Sequence, residues 1–383
     1  MATHKNETRS VIRAIEFYSG IGGLHLALRR SGIPGAAVAA YDWDQVACQV
    51  YATNYGPNLV HKTDISTLTA AQLARIDADL WLLSPSCQPY TVLNPSAKGA
   101  ADPRAQSFLH LINNVLPELA TQRAHPRYLL VENVAGFQDS STRQHLVSTL
   151  ERLGYVTAEF TLSPLQFDIP NSRLRYYLLA KVSPLKFFGI DAASSGQILD
   201  YIPVHPSTSS ESLVSKASTP NAQPRILRHY LDGDLDTEAL TSSKIPDRVL
   251  RKWGRLFDIV LPSGTRSCCF TRGYTQLVER AGSILQTNEN IDTTKVFDEF
   301  LEAQSTGDEE AVRILDPLGL RYFTPTELLR LFHFMEPFEP TPDFDFVWPP
   351  GVSLKSKYRL IGNSVNVEVV RRLIGYLFAE GDG

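Results

Sequence analysis

The sequence is poor in cysteine, and this scarcity excludes a disulfide framework. Only Cys48, Cys87, Cys268 and Cys269 occur in 383 residues, and no two of them form a C-x-x-C pair. Disulfide-rich secreted domains and structural zinc sites need cysteines in greater number or at regular short spacings. We therefore expect a protein of a reducing compartment that holds no metal.

Long apolar runs and an excess of charge of one sign are also missing. No apolar stretch approaches the roughly 20 residues that cross a bilayer, and residues 1–10 are polar. The formal net charge of -4 argues against a nonspecific binder of polyanions, so nucleic-acid contacts would have to come from local basic patches. We expect a soluble, cytoplasmic and/or nuclear monomer without a membrane partner.

The first half of the sequence alternates strand and helix patterns. Short apolar runs predict strands at 11–17, 36–40, 79–83, 128–131, 155–160 and 176–181, and helical periods predict helices at 22–30, 45–54, 106–119 and 142–153. A hydrophobic content of 43% is enough for a substantial core. The pattern predicts an α/β fold.

The pattern is looser between residues 184 and 320, with polar stretches at 206–224 and 286–310. We interpret this region as a smaller domain with mobile connections. The Thr-Pro-Thr-Glu sequence at 324–327 then predicts a helix start before an amphipathic stretch to Phe334, and a final apolar helix is expected at 365–378.

A glycine-rich turn at 16–23, Glu-Phe-Tyr-Ser-Gly-Ile-Gly-Gly, separates the first strand from the first helix. Glycine lets a ligand approach the backbone, and a helix N-terminus favours a carboxylate or phosphate. Asp42 follows the next strand, at the distance expected of an acid that holds ribose hydroxyls. Trp43 could pack on an adenine face, although an ordinary core or surface aromatic is an alternative. Because His25 replaces the last glycine of the dinucleotide pattern, S-adenosylmethionine suits this turn better than NAD.

Residues 84–91, Ser-Pro-Ser-Cys-Gln-Pro-Tyr-Thr, place Cys87 between two prolines directly after an apolar run. The prolines prevent regular structure, so Cys87 is expected on a stiff loop at the carboxyl end of a strand, where open α/β sheets bind ligands. A free cysteine by itself is most often an inert buried residue. The interpretation of Cys87 as a nucleophile therefore depends on its neighbours.

Two further groups are expected beside Cys87. Glu132 follows the strand at 128–131, so that a carboxylate stands at another carboxyl end. Arg173 and Arg175 occupy alternate positions and would point the same way in an extended chain. Such arginines are usually solvated, but here they complete a set of nucleophile, acid and cation.

Five segments, taken in order, resemble the motifs of cytosine-C5 methyltransferases. They are Tyr-Ser-Gly-Ile-Gly-Gly at 18–23, Pro-Ser-Cys-Gln-Pro at 85–89, Glu-Asn-Val at 132–134, Arg-Leu-Arg at 173–175 and Gly-Asn-Ser-Val-Asn at 362–366. Cys-Phe-Thr-Arg-Gly-Tyr at 269–274, with residues 171–176 and 321–325, looks like the Dnmt2 branch of that family. Members of this branch resemble DNA methyltransferases but modify tRNA, typically aspartate tRNA at C38 of the anticodon loop.

The resemblance implies a fold and a division of the chain. The fold would be the Rossmann-like class I sheet of methyltransferases that use S-adenosylmethionine, with an inserted target-recognition domain. The catalytic domain would comprise residues 1–185 and 321–383, and the target-recognition domain residues 186–320. The final helix would pack against the sheet.

The resemblance also implies roles for individual residues. The catalytic residues would be Cys87, Glu132, Arg173 and Arg175. The cofactor would contact Tyr18, Ile21, Gly22, Gly23, Asp42, Trp43, Asp64, Ile65, Ser84, Asn363 and Ser364. The tRNA would contact Gln88, Cys269, Phe270, Thr271 and Arg272.

The implied mechanism agrees with the chemistry of these side chains. Cytosine C5 is a poor nucleophile until a thiolate adds to C6, which is the role expected of Cys87. Glu132 would contact N3 and the exocyclic amine, while Arg173 and Arg175 would position the base and assist Cys87 electrostatically. The target base must leave its stack, which costs less in an unpaired loop than in a duplex.

Two alternatives stay open: a DNA cytosine-C5 methyltransferase with the same chemistry, and an RNA-binding protein with weak or no turnover. Ser86 supports the second, because the family usually has Pro-Pro-Cys where this chain has Pro-Ser-Cys. Basic clusters could follow tRNA phosphates, although each alone is as well explained by a solvated face. They are Arg248, Arg251, Lys252 and Arg255; Arg266 and Arg272; and Lys355, Lys357 and Arg359.

Overall fold

An eight-stranded sheet forms the main body of the first of two compact units. The computed structural model describes residues 11–90, 99–190, 196–204, 225–233, 236–277, 281–337 and 344–379. The first unit contains Met1–Leu162, Leu174–Val214 and Val367–Gly383, and the second contains Ser163–Arg173 and Ser215–Asn366.

The sheet is mixed, with five neighbouring parallel strands on one side. Its strands are β1 (Ile12–Phe17), β2 (Gly35–Asp42), β3 (Val60–Lys62), β4 (Leu80–Leu83), β5 (Tyr128–Val134), β6 (Tyr155–Leu162), β7 (Arg175–Val182) and β8 (Ile198–Leu199). Their order is β3-β2-β1-β4-β5-β7-β6-β8. The first five strands in this order run parallel, and β7 runs antiparallel to both β5 and β6. The predicted α/β architecture is confirmed.

The helices of the first unit follow the predicted pattern closely. They are α1 (Gly23–Arg30), α2 (Gln45–Tyr55), α3 (Ala70–Ile76), α4 (Gln106–His110), α5 (Leu116–Thr121), α6 (Ser141–Arg152) and, at the end of the chain, α12 (Val367–Phe378). A π-helical turn at Leu111–Val115 joins α4 to α5, so the helix expected at 106–119 is one continuous helical stretch. Asp44 caps α2 by accepting hydrogen bonds from the amides of Val46 and Ala47.

The central strands are apolar because both of their faces are covered. Every residue of β4 is buried, and Phe17 of β1 packs edge-on against Trp81 with ring centroids 5.0 Å apart. Helix α12 packs on α1, and the rings of Tyr128 and Phe378 are 4.4 Å apart. The final helix therefore completes the first unit, as the resemblance implied.

The second unit contains a small sheet and five helices. Its strands are β9 (Ile259–Val260), β10 (Ile284–Gln286) and β11 (Leu320–Arg321), in the order β11-β10-β9. Its helices are α7 (Thr237–Ser243), α8 (Asp247–Trp253), α9 (Thr293–Ser305), α10 (Pro325–Leu331) and α11 (Leu354–Gly362). Arg321 and Glu327 form a buried ion pair at 2.7 Å that fixes β11 to α10.

Two expectations for this region need correction. The polar stretch at 286–310 is not only a connection, because it contains the whole of α9, which buries Phe297 and Phe300. Helix α10 begins at the Thr324 cap, as predicted, but ends before Phe334, since His333 adopts a left-handed φ of 58° that a helix cannot continue through. The other polar stretch, 206–224, lies outside the described residues.

The chain re-enters the first unit at Val367, whereas the predicted domain boundary lies at 321. The division into a catalytic and a target-recognition domain therefore stays a prediction. Among the described residues, no helix is both long and apolar enough to cross a membrane.

Candidate active site

The loops that follow β1, β2, β3, β4 and β5 leave the same edge of the first unit's sheet, because these strands are parallel. The start of β7 lies at this edge too, since β7 is antiparallel and Val134 pairs with Arg175. This edge gathers most of the predicted site residues: Tyr18, Ile21, Gly22, Gly23, Asp42, Trp43, Asp64, Ile65, Ser84, Cys87, Gln88, Glu132 and Arg175.

The glycine turn after β1 is shaped by its packing on α2. Gly22 has a φ of 84°, and a Cβ atom there would lie 2.2 Å from Cε2 of Tyr55. The Tyr55 hydroxyl also donates to the Gly22 carbonyl at 3.0 Å. Tyr18 has a φ of 58°, which a residue with a side chain rarely adopts. Glycine at 22 is thus required both by its backbone and by Tyr55.

Asp42 connects this turn to the end of β2. Its Oδ2 accepts from the Gly20 amide at 2.8 Å, and its Oδ1 accepts from the Asp44 amide at 2.8 Å. Burial raises the pKa of Asp42, and only 8% of the residue is exposed. Each carboxylate oxygen can accept a further hydrogen bond, so Asp42 can still receive hydroxyl donors.

The neighbouring predicted contacts differ in accessibility. Trp43 is 77% exposed and presents an aromatic face. Asp64 is exposed, and hydrogen bonds from Ser66 lower its pKa. Ile65, by contrast, is buried in the core of the unit. Ser84 lies between strand ends, with its hydroxyl donating to the Tyr18 carbonyl at 3.3 Å.

The Cys87 loop is held by hydrogen bonds on both sides of the cysteine. Asn133 donates from Nδ2 to the Pro85 carbonyl at 3.1 Å, and the Tyr90 amide donates to the Cys87 carbonyl at 3.0 Å. The Gly99 amide donates to the Pro89 carbonyl at 3.1 Å. Cys87 itself is half-buried. The loop is therefore fixed although Ser86 stands between its anchors.

Glu132 and Arg175 form an ion pair at the same edge of the sheet. Nε of Arg175 lies 3.5 Å from Oε1 of Glu132 across the paired strands β5 and β7. Both side chains are mostly buried. Since β4 and β5 pair in parallel with Leu83 opposite Val131, Glu132 and the Cys87 loop follow adjacent strands.

A second cation, Arg104, lies in the vicinity of Cys87. Arg104 is held by Asp102 through hydrogen bonds of 2.8 Å from Nε and 2.6 Å from a terminal nitrogen. The Asp102 hydrogen bond raises the pKa of Arg104, and the charge of a Cys87 thiolate raises it further.

Arg173 lies in the second unit, whereas Arg175 lies in the first. One terminal nitrogen of Arg173 donates to the Phe270 carbonyl at 2.8 Å, and the other to the carbonyls of Gly362 and Ser364 at 3.0 and 2.5 Å. Its guanidinium also lies 4.8 Å from the ring centre of Phe332. Arg173 thus joins the Cys-Phe-Thr segment to the Gly-Asn-Ser segment.

Gly362 permits this junction. A Cβ atom there would lie 2.2 Å from the Thr271 carbonyl carbon and 2.4 Å from the Arg272 nitrogen. Because backbone atoms cannot yield as a flexible side chain can, only glycine fits. The motif at 362–366 is therefore required in part by the segment at 269–274.

The predicted substrate residues of the second unit have different surroundings. Phe270 is fully buried, with ring centroids 5.0 Å from Tyr274 and 5.2 Å from Phe323. Cys269 is half-buried, and its sulfur lies 3.4 Å from an Arg173 nitrogen. Arg272 is exposed. The buried side chain of Phe270 packs in the core of the second unit and so holds this segment in place. The direct tRNA contacts of the segment stay a prediction.

Comparisons with known proteins show the family of this chain. Residues 12–379 match the family model of C-5 cytosine-specific DNA methylases. The chain is 38% identical to the tRNA (cytosine(38)-C(5))-methyltransferase of Schizosaccharomyces pombe, over 96% of each chain. It is 36% identical to the protein of the same name from Bos taurus, over 96% of this chain and 99% of the relative. The chain belongs to the cytosine-C5 methyltransferases, in the Dnmt2 branch.

A solved structure supports the same assignment. The crystal structure of S. pombe Dnmt2 methyltransferase aligns with a TM-score of 0.74 at 37% identity, over 96% of this chain and 98% of that chain. The Rossmann-like sheet implied by the sequence motifs is confirmed, and the protein is a methyltransferase.

Sequence reasoning missed several residues that shape this methyltransferase's site. Asn133 stands directly after Glu132, and its position in Glu-Asn-Val was the available signal. Asp102 and Arg104 follow the cysteine loop as Asp-Pro-Arg, a short pattern in which the acid can hold the base two positions later. Tyr55 carried no signal, because its contact with Gly22 spans 33 residues.

Proposed function

We propose that this protein transfers a methyl group from S-adenosylmethionine to C5 of cytosine in tRNA, at C38 of the anticodon loop of aspartate tRNA. The observation that carries the proposal is the gathering of Cys87, Glu132 and Arg175 at one sheet edge beside the glycine turn. The names of the S. pombe and cattle relatives support the choice of cytosine 38 in tRNA.

The residues of the glycine turn suit S-adenosylmethionine. Gly20 has a φ of 52° and nothing within 4 Å of the position of a Cβ atom, so a ligand can lie against the backbone there. Asp42 would accept the ribose hydroxyls, and Trp43 would cover an adenine face. Tyr18, Ile21, Gly23, Asp64, Ile65 and Ser84 would complete this part of the pocket. The cofactor contacts predicted for Asn363 and Ser364 rest on the family resemblance alone. When bound, the cofactor supplies an electrophilic methyl group on a sulfonium sulfur.

Cys87 would act first, as the nucleophile. Its thiolate adds to C6 of cytosine, and the electron pair of the C5–C6 double bond moves to C5, which becomes nucleophilic. Arg104 interacts electrostatically with Cys87, and a nearby cation would favour the thiolate. The anchors on Pro85 and Cys87 restrict the loop on both sides of Ser86, which reduces the order that has to be gained in the transition state.

Glu132 and Arg175 would hold the base during this attack. Glu132 would contact N3 and the exocyclic amine, so that N3 can be protonated as negative charge develops in the ring. Arg175, 3.5 Å from the Glu132 carboxylate, would orient that carboxylate and stabilise the negative charge that develops in the cytosine ring. After C5 is methylated, the C5 proton is lost to a base and the Cys87–C6 bond breaks, which restores the aromatic ring and the thiolate.

A DNA substrate is the second candidate, because the matching family model describes DNA methylases. The chemistry at the base would be the same. The difference lies in delivering the base, since an anticodon loop offers unpaired cytosine while a duplex must be opened at a cost of a few kcal/mol.

Labelled methyl transfer from S-adenosylmethionine distinguishes these substrates. We expect label in total tRNA, concentrated in aspartate tRNA and abolished by replacing C38, with little label in genomic DNA. Cys87→Ala should give no label in either. Label in DNA alone would overturn the tRNA assignment, and label that persists in Cys87→Ala would exclude the covalent mechanism.

A further inference from the structure

The carboxyl group of Glu16 is buried beneath the glycine turn and takes no part in the mechanism above. Glu16 is the penultimate residue of β1 and is 1% exposed. Its Oε1 accepts from the amides of Leu24 and His25, the first turn of α1, at 3.2 and 3.3 Å. The carboxyl therefore accepts hydrogen bonds at the N-terminus of α1, and it lies between β1 and α1, which the glycine turn connects.

The second oxygen of Glu16 is in a different situation. Oε2 is buried and makes no hydrogen bond of normal length among the described residues. The hydroxyl of Tyr51, which is fully buried, faces the carboxyl and interacts with it. The same hydroxyl lies 2.8 Å from Nδ1 of His25. Three polar groups from β1, α1 and α2 thus form a row with little access to water.

Burial determines the protonation of this row. Burial raises the pKa of Glu16 from 4.5 to about 8, against the hydrogen bonds from Tyr51 and from the two amides, which lower it. Burial also lowers the pKa of His25 to about 4, so its ring is neutral. Neutral His25 can accept from the Tyr51 hydroxyl, and the Tyr51 oxygen can accept from a protonated Glu16. In this row protonated Glu16 donates to Tyr51, and Tyr51 donates to His25.

The charges around Glu16 do not offset a carboxylate there. Tyr51 on α2 and Asp42 at the end of β2 face it, and Asp42 opposes its ionisation. Tyr55 on α2 also interacts with it. Arg29 acts on His25, and Arg29 and Arg30 both act on Tyr55.

We propose that Glu16 is a positioning residue that holds the glycine turn in its neutral, protonated form, and that its ionisation weakens the binding of S-adenosylmethionine. This inference rests on the proposed function, since it takes the turn as the cofactor site. An ionised Glu16 would place a second negative charge near Asp42, the residue expected to hold the ribose of the cofactor. It would also draw water toward Oε2, which requires the turn or α1 to move.

A comparison of wild type with Glu16→Gln tests the protonation without any ligand. Glutamine keeps the oxygen that accepts from both amides and replaces the hydroxyl by an uncharged donor. The neutral form of Glu16 stabilises the fold below pH 4.5, and this contribution is lost as the pH rises through about 8. We expect the denaturation midpoint of wild type to fall relative to Glu16→Gln between about pH 5 and 8 and the difference to stay constant above. Glu151→Gln, at an exposed position of α6, is the matched control.

Calorimetric titration with S-adenosylmethionine tests the link to binding. The α-amino group of this ligand itself titrates near pH 8. The dissociation constants of wild type and of Glu16→Gln therefore both change with pH, and the test is their ratio at each pH. We expect the ratio of the dissociation constant of wild type to that of Glu16→Gln to rise about fivefold between pH 7 and 9, which corresponds to a one-unit rise of the Glu16 pKa on binding. Glu151→Gln should follow wild type.

Parallel profiles for wild type and Glu16→Gln would overturn the inference and leave the proposed function intact. Absence of binding to folded wild type at every pH would overturn both. If Glu16→Gln did not fold, the infrared band of a protonated carboxyl in wild type, lost as the pH is raised from about 7 to 9, would supply the same evidence, and its absence at pH 7 would contradict the neutral carboxyl.

Discussion

Arg173 and Arg175 are two positions apart and carry the same charge, but their partners are unrelated. Arg173 is 3% exposed and donates to three backbone carbonyls of the second unit, whereas Arg175 pairs with the Glu132 carboxylate of the first. The alternation of the two arginines in the sequence predicted a shared direction. That prediction assumed one extended strand, while β7 begins only at Arg175.

This difference predicts different consequences for the two alanine variants. Arg173→Ala removes a buried cation from three carbonyls, which we expect to cost about 3–5 kcal/mol of stability. Arg175→Ala leaves the mostly buried Glu132 without this partner, so we expect a smaller loss of about 1–2 kcal/mol in stability and a kcat about 100-fold lower. Chemical denaturation and single-turnover methylation measure the two effects. A stable but inactive Arg173→Ala would show instead that Arg173 acts on the base.

At the same scale, sequence reasoning could predict Cys87 and Glu132 but not what holds them. A cysteine between prolines and a carboxylate after a strand are local patterns. The hydrogen bond from Asn133 to Pro85 joins residues 48 apart and exists only because β4 and β5 pair. Such a contact cannot be predicted before the strand order is known.

At the scale of elements, the loop after β4 is the one on which the chemistry depends. Its anchors lie at Pro85, Cys87 and Pro89, so the position of Ser86 is bounded on both sides. The strands and helices of the first unit were predicted well because their apolar periods are strong. Strand β3 and helix α3 were missed, since both are short and largely polar on one side.

Asn133→Ala tests the anchor of this loop. Without Nδ2 the Pro85 carbonyl loses its donor, and we expect kcat to fall about tenfold with little change in the KM for S-adenosylmethionine. Asn133→Asp keeps the acceptor for the Val134 amide but replaces the donor by a charged carboxylate oxygen facing the Pro85 carbonyl, so we expect its kcat to fall at least as far. Equal activity of Asn133→Asp and wild type would show that this hydrogen bond does not position Cys87.

Ser86→Pro tests whether the loop is fully ordered. A proline at 86 removes conformational freedom from the position between the two anchors, worth about 0.4–1 kcal/mol. If this whole free energy lowers the activation barrier, the single-turnover rate rises about two- to fivefold, which is the result we expect. The apparent affinity for tRNA should change little. An unchanged rate would mean that the existing anchors already hold the loop and that Ser86 does not limit the reaction.

For the whole molecule, the net charge of -4 leaves tRNA recognition to local cations. Arg248, Lys252 and Arg255 are exposed on α8 and the turn after it. Lys252 and Lys357 each place Nζ over a tryptophan ring, 4.8 Å from the ring centre of Trp253 and 5.7 Å from that of Trp348. Because three exposed cations share α8 and the turn after it, we take these three as the candidates for phosphate contacts.

Replacing Lys252 and Arg255 by alanine should weaken tRNA binding at low salt and reduce its dependence on salt. Each lost phosphate contact lowers the slope of log K against log salt by about 0.7 to 0.9. Filter binding over a range of salt concentrations gives the slope, and Lys295→Ala, an exposed position on α9, is the control. An unchanged slope would remove these cations from the tRNA surface.

The connectivity of the two units has a consequence for synthesis of the protein. Among the residues that the structure describes, strand β6 pairs with β7 and β8 alone, both of which follow it in the chain, and α1 packs against α12, which lies at the end of the described residues. A growing chain that has passed residue 162 therefore holds an unfinished sheet with an unpaired strand. Neither unit can be expressed as one uninterrupted fragment, and until residues 367–379 leave the ribosome the first unit depends on protection from aggregation.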